Sequence, residues 1–311
     1  MDIFVTRAIR REGLELLSTA ATYEVWDGAV DASPPKDAII KGVKQAKVLL
    51  SLLTETIDRE ILTVNPNLLG VANCAVGFNN IDIAAATELG VPVTNTPGVL
   101  TDTTADLTWA LILAVARCIP EAHQYMLSGK YKLWGPNLLL GSDVSPGGSE
   151  QPKTLGIIGY GRIGKAVRRR AVGFDMRVLV YDPPLKHEIE RTAGVEHADL
   201  SRLLQESDFV TVHCSLTPET THLLGKAEFS KMKPTAFVIN TSRGPVIDEK
   251  ALVDALRNGQ IAGAGLDVYE NEPEMAPGLK DLSNVVLLPH IASASKDTRA
   301  KMATMAATNA L

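Results

Sequence analysis

A glycine-rich turn in the middle of the chain follows a short apolar run and precedes a helix-like segment. Gly159, Gly161 and Gly164 form a G-x-G-x-x-G pattern directly after Leu155–Ile158. In this pattern the first glycine permits a tight turn, the second lets backbone approach a pyrophosphate, and the third lets the helix pack on the strand. The free N–H groups and dipole of that helix favour an anion. The segment therefore predicts a strand, a turn and a helix that bind a dinucleotide.

An acidic residue, Asp182, closes the next predicted strand about 20 residues after Gly161, the spacing expected of a carboxylate that binds a ribose 2′-hydroxyl. Such a carboxylate would repel the 2′-phosphate of NADP(H). No arginine stands between Asp182 and Lys186 to compensate. We therefore expect NAD(H) as the preferred cofactor, with NADP(H) as the alternative.

Composition limits the class of protein. The 311 residues predict two domains, and the net charge of −5 without a long basic run disfavours nucleic acid as a partner. The three cysteines, Cys74, Cys118 and Cys214, are widely spaced, which favours free thiols in a cytoplasmic protein. The apolar run Leu107–Ile119 is too short to span a bilayer, so we expect no membrane partner.

Short runs rich in Val, Ile and Leu alternate with helix-like segments along the chain. The runs are Ile3–Thr6, Val48–Leu53, Leu69–Cys74, Pro92–Asn95, Thr154–Ile158, Arg177–Tyr181, Phe209–His213, Ala236–Asn240, Gly263–Val268 and Val285–Leu288. Such runs suit parallel strands buried on both faces, and the alternation is typical of α/β domains. We predict two Rossmann-like or flavodoxin-like, doubly wound parallel-sheet domains with a cleft between them.

The glycine turn lies far from the start of the chain, although a dinucleotide domain normally begins at its first strand. We therefore predict a substrate-binding lid domain at 1–98 plus 292–311 and an NAD-binding Rossmann domain at 99–291. A long helix, Thr103–Arg117, would begin the second domain. The segment Gly135–Pro152 is rich in Gly, Pro and Ser and is predicted to be a loop.

Three predicted strands in the second half are followed by residues suited to anion binding or proton transfer. Arg243, Glu272 and His290 each follow a different strand. Ligands of open α/β sheets bind beyond the carboxyl ends of strands. Arginine offers a planar fork to a carboxylate, and histidine is the commonest general acid or base. Each residue alone could be structural, but together they predict an active site.

Six segments resemble the D-isomer-specific 2-hydroxyacid dehydrogenases, and within them the glyoxylate/hydroxypyruvate reductase (D-glycerate dehydrogenase) branch. They are CAVGFNNID, NTPGVLTDTTADLTWAL, LGIIGYGRIGKAV, INTSRGPVIDEKAL, AGLDVYENEP and LPHIASAS. The resemblance extends over nearly the whole chain. It implies NAD(P)H-dependent reduction of glyoxylate or hydroxypyruvate to glycolate or D-glycerate.

The resemblance also implies roles for single residues. His290 would protonate the carbonyl oxygen, Glu272 would orient His290, and Arg243 would bind the substrate carboxylate. Val76 and Gly77 would bind that carboxylate through backbone N–H groups. The implied cofactor contacts are Gly159, Gly161, Arg162, Ile163, Gly164, Asp182, Thr104, His213, Cys214, Thr241, Ser242 and Asp267, and no metal is expected.

The same segments leave two alternative functions open. The same fold could belong to a corepressor-like protein that binds NAD(H) and docks peptides, or to a dehydrogenase of D-lactate or another 2-oxo acid. A phosphorylated substrate is not expected, because phosphoglycerate dehydrogenases of this family carry arginine where Asn73 stands.

Family members are usually homodimers built on the helix corresponding to Thr103–Arg117 and on the loop after it. In that loop Trp134 would reach a neighbouring active site or only pack at the interface. Relatives continue beyond the segment matching Met302–Leu311, so we expect that this sequence lacks a C-terminal tail.

Overall fold

The computed structural model describes residues 1–29, 32–146 and 151–311. The chain divides into two compact units, Met1–Leu100 with Ser293–Leu311 and Thr101–Ala292. Each unit is built on one parallel sheet with helices, so the predicted class of two parallel-sheet α/β domains is confirmed. Residues 147–150 of the predicted loop lie outside the described residues; 135–146 and 151–152 contain neither helix nor strand.

The first unit has a five-stranded parallel sheet in the order β2-β1-β3-β4-β5. Its strands are β1 Ile3–Val5, β2 Tyr23–Val25, β3 Val48–Ser51, β4 Gly70–Asn73 and β5 Val93–Thr94. Its helices are α1 Arg11–Ala20, α2 Lys36–Val43, α3 Arg59–Thr63, α4 Ile83–Glu88 and, from the far end of the sequence, α12 Lys296–Ala310.

Helix α12 packs against α1, β3 and β4, with Met302 and Ala306 buried in the core of this unit. The contact between the two helices is close, because a Cβ on Gly13 would lie 2.6 Å from the Ala303 carbonyl oxygen. A larger residue at position 13 would therefore force the two helices apart.

The second unit has a seven-stranded parallel sheet in the order β12-β11-β10-β9-β6-β7-β8. Its strands are β6 Thr154–Ile158, β7 Arg177–Tyr181, β8 Glu196–His197, β9 Phe209–Val212, β10 Phe237–Asn240, β11 Gly263–Leu266 and β12 Val285–Leu287. Its helices are α5 Thr101–Ala116, α6 Ile119–Leu127, α7 Arg162–Ala171, α8 Lys186–Ile189, α9 Leu200–Glu206, α10 Lys226–Phe229 and α11 Glu249–Arg257.

The long helix α5 is a core element of this unit. It packs against α7, β10 and β11, and Trp109 stacks on Phe174 with 4.3 Å between ring centroids. The Trp109 indole N–H also donates to the Val167 carbonyl at 3.1 Å. Burial within the unit therefore accounts for much of the apolar face of α5.

The apolar segments that could resemble a membrane span are α5 and α6. Across the described ranges, no single helix is long and apolar enough to cross a bilayer. These two helices reach that length and composition only together, and they meet at an angle of 63°.

Because all seven strands of the second sheet are parallel, their carboxyl ends lie at one edge. Strand β6 is flanked by β7 on one side and β9 on the other, so the order of the sheet reverses there. Ligands bind at such reversal points in open α/β sheets. The fold therefore favours a ligand-binding site at the carboxyl ends of these strands, near β6.

Candidate active site

The glycine turn after β6 leaves room for a ligand at the N-terminus of α7. Gly159 has φ of 93°, and a Cβ there would lie 2.4 Å from Cys214 N. A Cβ on Gly164 would lie 2.2 Å from Gly159 O, whereas one on Gly161 would meet no atom within 4 Å. Gly161 precedes the ten-residue helix α7 without a side-chain cap. The first N–H groups of the helix thus face an open position that suits a diphosphate.

Asp182 connects the end of β7 to the glycine turn. One carboxylate oxygen accepts a hydrogen bond from Tyr160 N at 2.7 Å, and the other accepts a longer one from Leu185 N at 3.3 Å. The residue therefore shapes the turn, and its predicted contact with a ribose would be made by a carboxylate that is already held in place.

His213, at the end of β9, has two buried ring nitrogens with no hydrogen-bond partner among the described residues. Burial lowers the pKa of His213 to about 3, so the ring is neutral at physiological pH. Burial likewise raises the pKa of the neighbouring Cys214 thiol to about 11. Buried polar atoms normally have partners, so His213 is a candidate for a hydrogen bond to a bound ligand.

His290 and Glu272 form a hydrogen-bonded pair at the ends of the neighbouring strands β12 and β11. The His290 Nδ1 lies 2.9 Å from a Glu272 carboxylate oxygen. Because a carboxylate only accepts, we assign Nδ1 as the donor, which leaves Nε2 for other chemistry. The other Glu272 oxygen accepts from Tyr269 N at 3.1 Å. Burial acts to raise the pKa of Glu272, but the hydrogen bond and charge of His290, the Tyr269 N–H and Arg243 outweigh it and lower that pKa.

Arg243 stands on the turn after β10, the next strand in the sheet. Asn240 organises this turn: its amide oxygen accepts from Ser242 N at 2.9 Å, and its amide nitrogen donates to Arg243 O at 2.9 Å. Burial lowers the pKa of the Arg243 guanidinium, and the charge of Glu272 opposes that shift. Arg243, Glu272 and His290 are thus brought to three adjacent strand ends, and their charges interact.

Asp267, fully buried at the end of β11, fixes the backbone next to His290. Its two carboxylate oxygens accept from Ile291 N and Ala292 N, both at 2.7 Å. Burial raises the pKa of Asp267 more than these two hydrogen bonds lower it. His290 itself has φ of 55°, a left-handed conformation that is uncommon for residues other than glycine. Asp267 therefore holds the turn in which His290 sits, while its predicted nicotinamide contact stays a prediction.

Two residues that sequence reasoning missed support these turns: Asn240 and Glu249. The buried Glu249 carboxylate accepts from Glu270 N at 3.0 Å and from Ala276 N at 3.2 Å, on either side of Glu272. The sequence shows only that Glu249 lies in the first turn of α11. Because glutamates usually face solvent, nothing there indicates a buried supporting role.

The remaining predicted site residues are buried threonines, the first residues of a helix, and a turn of the first unit. Thr104 and Thr241 are buried, and the Thr241 hydroxyl lies 2.9 Å from that of Thr108. Arg162 and Ile163 are the first residues of α7. Val76 and Gly77 belong to the first unit, in the turn after β4. In the described parts of the chain, no group of three or more His, Cys, Asp or Glu could hold a metal ion.

Comparison with known proteins identifies the class to which this fold and site belong. Residues 109–292 match the NAD-binding domain of the D-isomer-specific 2-hydroxyacid dehydrogenases. The chain belongs to this family, as the sequence motifs predicted, and it is an oxidoreductase that uses a nicotinamide dinucleotide.

Individual relatives agree with that assignment. A glyoxylate reductase of Korarchaeum cryptofilum is 50% identical over 310 residues, which cover 99% of this chain and 91% of the relative. Among solved structures, the TT0316 protein of Thermus thermophilus has a TM-score of 0.89 at 41% identity, and the match covers 99% of this chain and 95% of that protein. An NADPH-dependent glyoxylate/hydroxypyruvate reductase of Sinorhizobium meliloti, in complex with NADP and malonate, has a TM-score of 0.84 at 31% identity, with 99% and 92% covered.

Proposed function

We propose that this protein reduces glyoxylate or hydroxypyruvate to glycolate or D-glycerate with NAD(P)H. The observation that carries the proposal is the Glu272–His290 hydrogen bond beside Arg243, at the same sheet edge as the glycine turn. The curated relatives named as glyoxylate reductases support the substrate class. They do not favour the peptide-docking alternative.

His290 is proposed to be the proton donor. Its Nδ1 is bound to Glu272, so Nε2 is the ring nitrogen that would give a proton to the carbonyl oxygen. Glu272 is ionised at neutral pH because its pKa is lowered, and a carboxylate stabilises the positive charge of the imidazolium before transfer. When bound, NAD(P)H supplies the hydride that the carbonyl carbon receives.

Arg243 is proposed to bind the substrate carboxylate. Its side chain is partly buried, and the lowered pKa of the guanidinium shows that burial disfavours its charge. An incoming carboxylate would offset that penalty with two parallel charge-assisted hydrogen bonds. A neutral substrate could not, so the arrangement favours anionic 2-oxo acids. The N–H groups of Val76 and Gly77 are proposed to bind the same carboxylate.

The cofactor is proposed to lie along the strand ends β6, β7 and β9. The N–H groups at Gly161, Arg162 and Ile163 would hold the diphosphate, Asp182 would hold the adenine ribose, and His213 with Cys214 would lie on the adenine side. We propose NADH as the preferred form, because the Asp182 carboxylate would repel a 2′-phosphate.

The role of His290 is tested by His290→Ala, with His222→Ala as the matched control. His222 also contacts a glutamate, with its Nε2 2.6 Å from a Glu270 oxygen, but it has no proposed part in the reaction. We expect His290→Ala to lose about 10²–10⁴-fold in kcat for glyoxylate while NADH still binds. His222→Ala should keep most of its turnover. Near-normal kcat in His290→Ala would refute the assignment.

We also propose a homodimer in the cytoplasm. Several large apolar side chains on α6 and the loop after it are exposed, among them Met126, Leu127, Leu133 and Trp134. Contiguous exposed apolar surface commonly marks a protein interface. The three free cysteines are consistent with a reducing compartment. Light scattering during gel filtration tests the dimer: Leu133→Asp should yield a monomer, and an unchanged mass would refute this interface.

A further inference from the structure

Three successive carbonyl groups in the turn after β4 accept hydrogen bonds from elsewhere in the first unit. The pairs are Thr96 N with Ala75 O at 2.9 Å, Asn95 Nδ2 with Val76 O at 2.8 Å, and Asn73 Nδ2 with Gly77 O at 2.9 Å. Two of the three donors are side-chain amides at the ends of β4 and β5. The turn is therefore held by specific side chains and not by backbone pairing alone.

Both asparagines make a further contact. Asn73 is completely buried, and its amide oxygen faces the Ser51 hydroxyl at 3.4 Å, which leaves the amide nitrogen for Gly77 O. The Asn95 backbone carbonyl accepts from the Asn309 side chain of α12 at 3.1 Å. These contacts hold the side chain of Asn73 and the backbone of Asn95.

Fixing the carbonyls also fixes the direction of the neighbouring N–H groups. In a trans peptide unit the C=O and the following N–H point in opposite directions. Holding Ala75 O and Val76 O against the protein therefore turns the N–H groups of Val76 and Gly77 away from those donors. Neither N–H donates to an acceptor within the ranges that the structure describes. Successive free N–H groups of this kind form a concave site for an anion.

We propose that Asn95 is a positioning residue that preorganises the Gly77 N–H group for the substrate carboxylate, and that Asn73 steadies the same turn one peptide unit further on, through Gly77 O. The inference rests on the proposed function, in which this turn binds that carboxylate. A merely structural role would be to satisfy buried carbonyls. The two roles differ because only preorganisation makes substrate affinity depend on the amides.

The test compares Asn95→Leu and Asn73→Leu with Asn65→Leu. Leucine has the same number and branching of side-chain heavy atoms as asparagine, cannot donate, and adds no charge that would itself repel a carboxylate. The control Asn65 also donates through its amide to two carbonyls, Val43 O at 2.9 Å and Ala46 O at 2.7 Å, but it precedes β4 instead of following it. Asn95 is only partly buried, so Asn95→Leu is the variant expected to fold best.

The measurements are kcat and KM for glyoxylate, the Kd of oxalate for the enzyme–NAD complex, and the Kd of NADH. Oxalate carries the carboxylate but no reducible carbonyl, so its affinity reports binding without turnover. For Asn95→Leu we expect KM and the oxalate Kd to rise at least about tenfold, equivalent to about 1.4 kcal/mol. We expect kcat to stay within about threefold and the NADH Kd to stay unchanged. Asn73→Leu should act in the same direction but less strongly, because Gly77 O shares its peptide unit with the Phe78 N–H and not with the Val76 or Gly77 N–H.

An unchanged oxalate Kd in folded Asn95→Leu would overturn the inference, as would an equal rise in Asn65→Leu. A fall in kcat with KM unchanged would also overturn it, because that would place the effect outside carboxylate binding. These outcomes leave the proposed function intact, provided that the wild type reduces glyoxylate. A wild type that neither turns over 2-oxo acids nor binds oxalate would refute the proposed function itself.

Discussion

The substitution Asp267→Asn should disturb the position of His290 while changing the stability of the fold much less. The carboxylate accepts two backbone N–H groups at 2.7 Å, from Ile291 and Ala292. An asparagine keeps one acceptor and turns an NH₂ group toward the other N–H, which leaves that donor unsatisfied. Such a loss costs about 1–3 kcal/mol.

The free energy lost with this hydrogen bond is comparable to the backbone strain at His290, which the turn would release by changing conformation. A left-handed conformation costs a non-glycine residue about 1–2 kcal/mol, and His290 has φ of 55°. Without the second hydrogen bond, the turn should be out of its observed conformation for most of the time. At about 1.4 kcal/mol per tenfold in rate, we expect kcat to fall about 10- to 100-fold.

Global stability should change much less. The raised pKa of Asp267 shows that folding disfavours its charged form at neutral pH, since burial outweighs the two hydrogen bonds. Replacing the carboxylate by a neutral amide relieves that penalty and offsets part of the lost hydrogen bond. We therefore expect the thermal midpoint to move by only a few degrees.

The assay measures kcat for glyoxylate at saturating NADH, the NADH Kd and the thermal midpoint. Asp248→Asn is the matched control, because Asp248 also accepts a backbone N–H, from Ala251 at 2.9 Å, and asparagine caps a helix equally well. A kcat within about threefold of wild type would refute the positioning role of Asp267. A large rise in the NADH Kd with unchanged kcat would instead assign Asp267 to the cofactor.

Three further predictions concern the proposed site. Arg243→Lys should raise KM for glyoxylate about tenfold or more with little change in the NADH Kd, because an ammonium lacks the planar fork; an unchanged KM would contradict this. Because the pKa of Glu272 is lowered from 4.5, the wild type should have a larger free energy of unfolding than Glu272→Gln above pH 4.5. That difference should be lost as the pH falls through the lower pKa of the folded state, and urea unfolding at pH 7 and pH 3 measures it. The same difference at both pH values would refute this prediction. The ratio of kcat/KM for NADH to that for NADPH should exceed about ten, and Asp182→Ala should weaken both, because Asp182 also holds Tyr160 N; a clear NADPH preference would overturn the cofactor proposal.

The sequence predicted ten strands, and the structure has a strand within each of them. In the ranges that the structure describes, two strands were not predicted, β2 and β8; they are edge strands of three and two residues that contain Glu24 and Glu196. Their formation depends on a neighbouring strand and not on an apolar run of their own. Short partly exposed edge strands therefore leave little trace in a sequence.

The candidate site was predictable where the chemistry follows a strand end. Arg243, Glu272 and His290 each follow a buried parallel strand, and a parallel sheet brings such ends to one edge. The supporting contacts were not predictable, because Asn240, Glu249 and Asn95 act through hydrogen bonds to backbone whose direction depends on the folded turn. Single amides and carboxylates in loops are too common for their spacing to reveal such roles.

The central claim is that this protein reduces small 2-oxo acids, and the most direct test follows NADH oxidation with a panel of substrates. Glyoxylate, hydroxypyruvate, pyruvate and a bulky 2-oxo acid would each be supplied to the purified protein at the same NADH concentration. We expect the highest kcat/KM with glyoxylate or hydroxypyruvate and the lowest with the bulky acid. Absence of turnover with all four, in protein that binds NADH, would contradict the account.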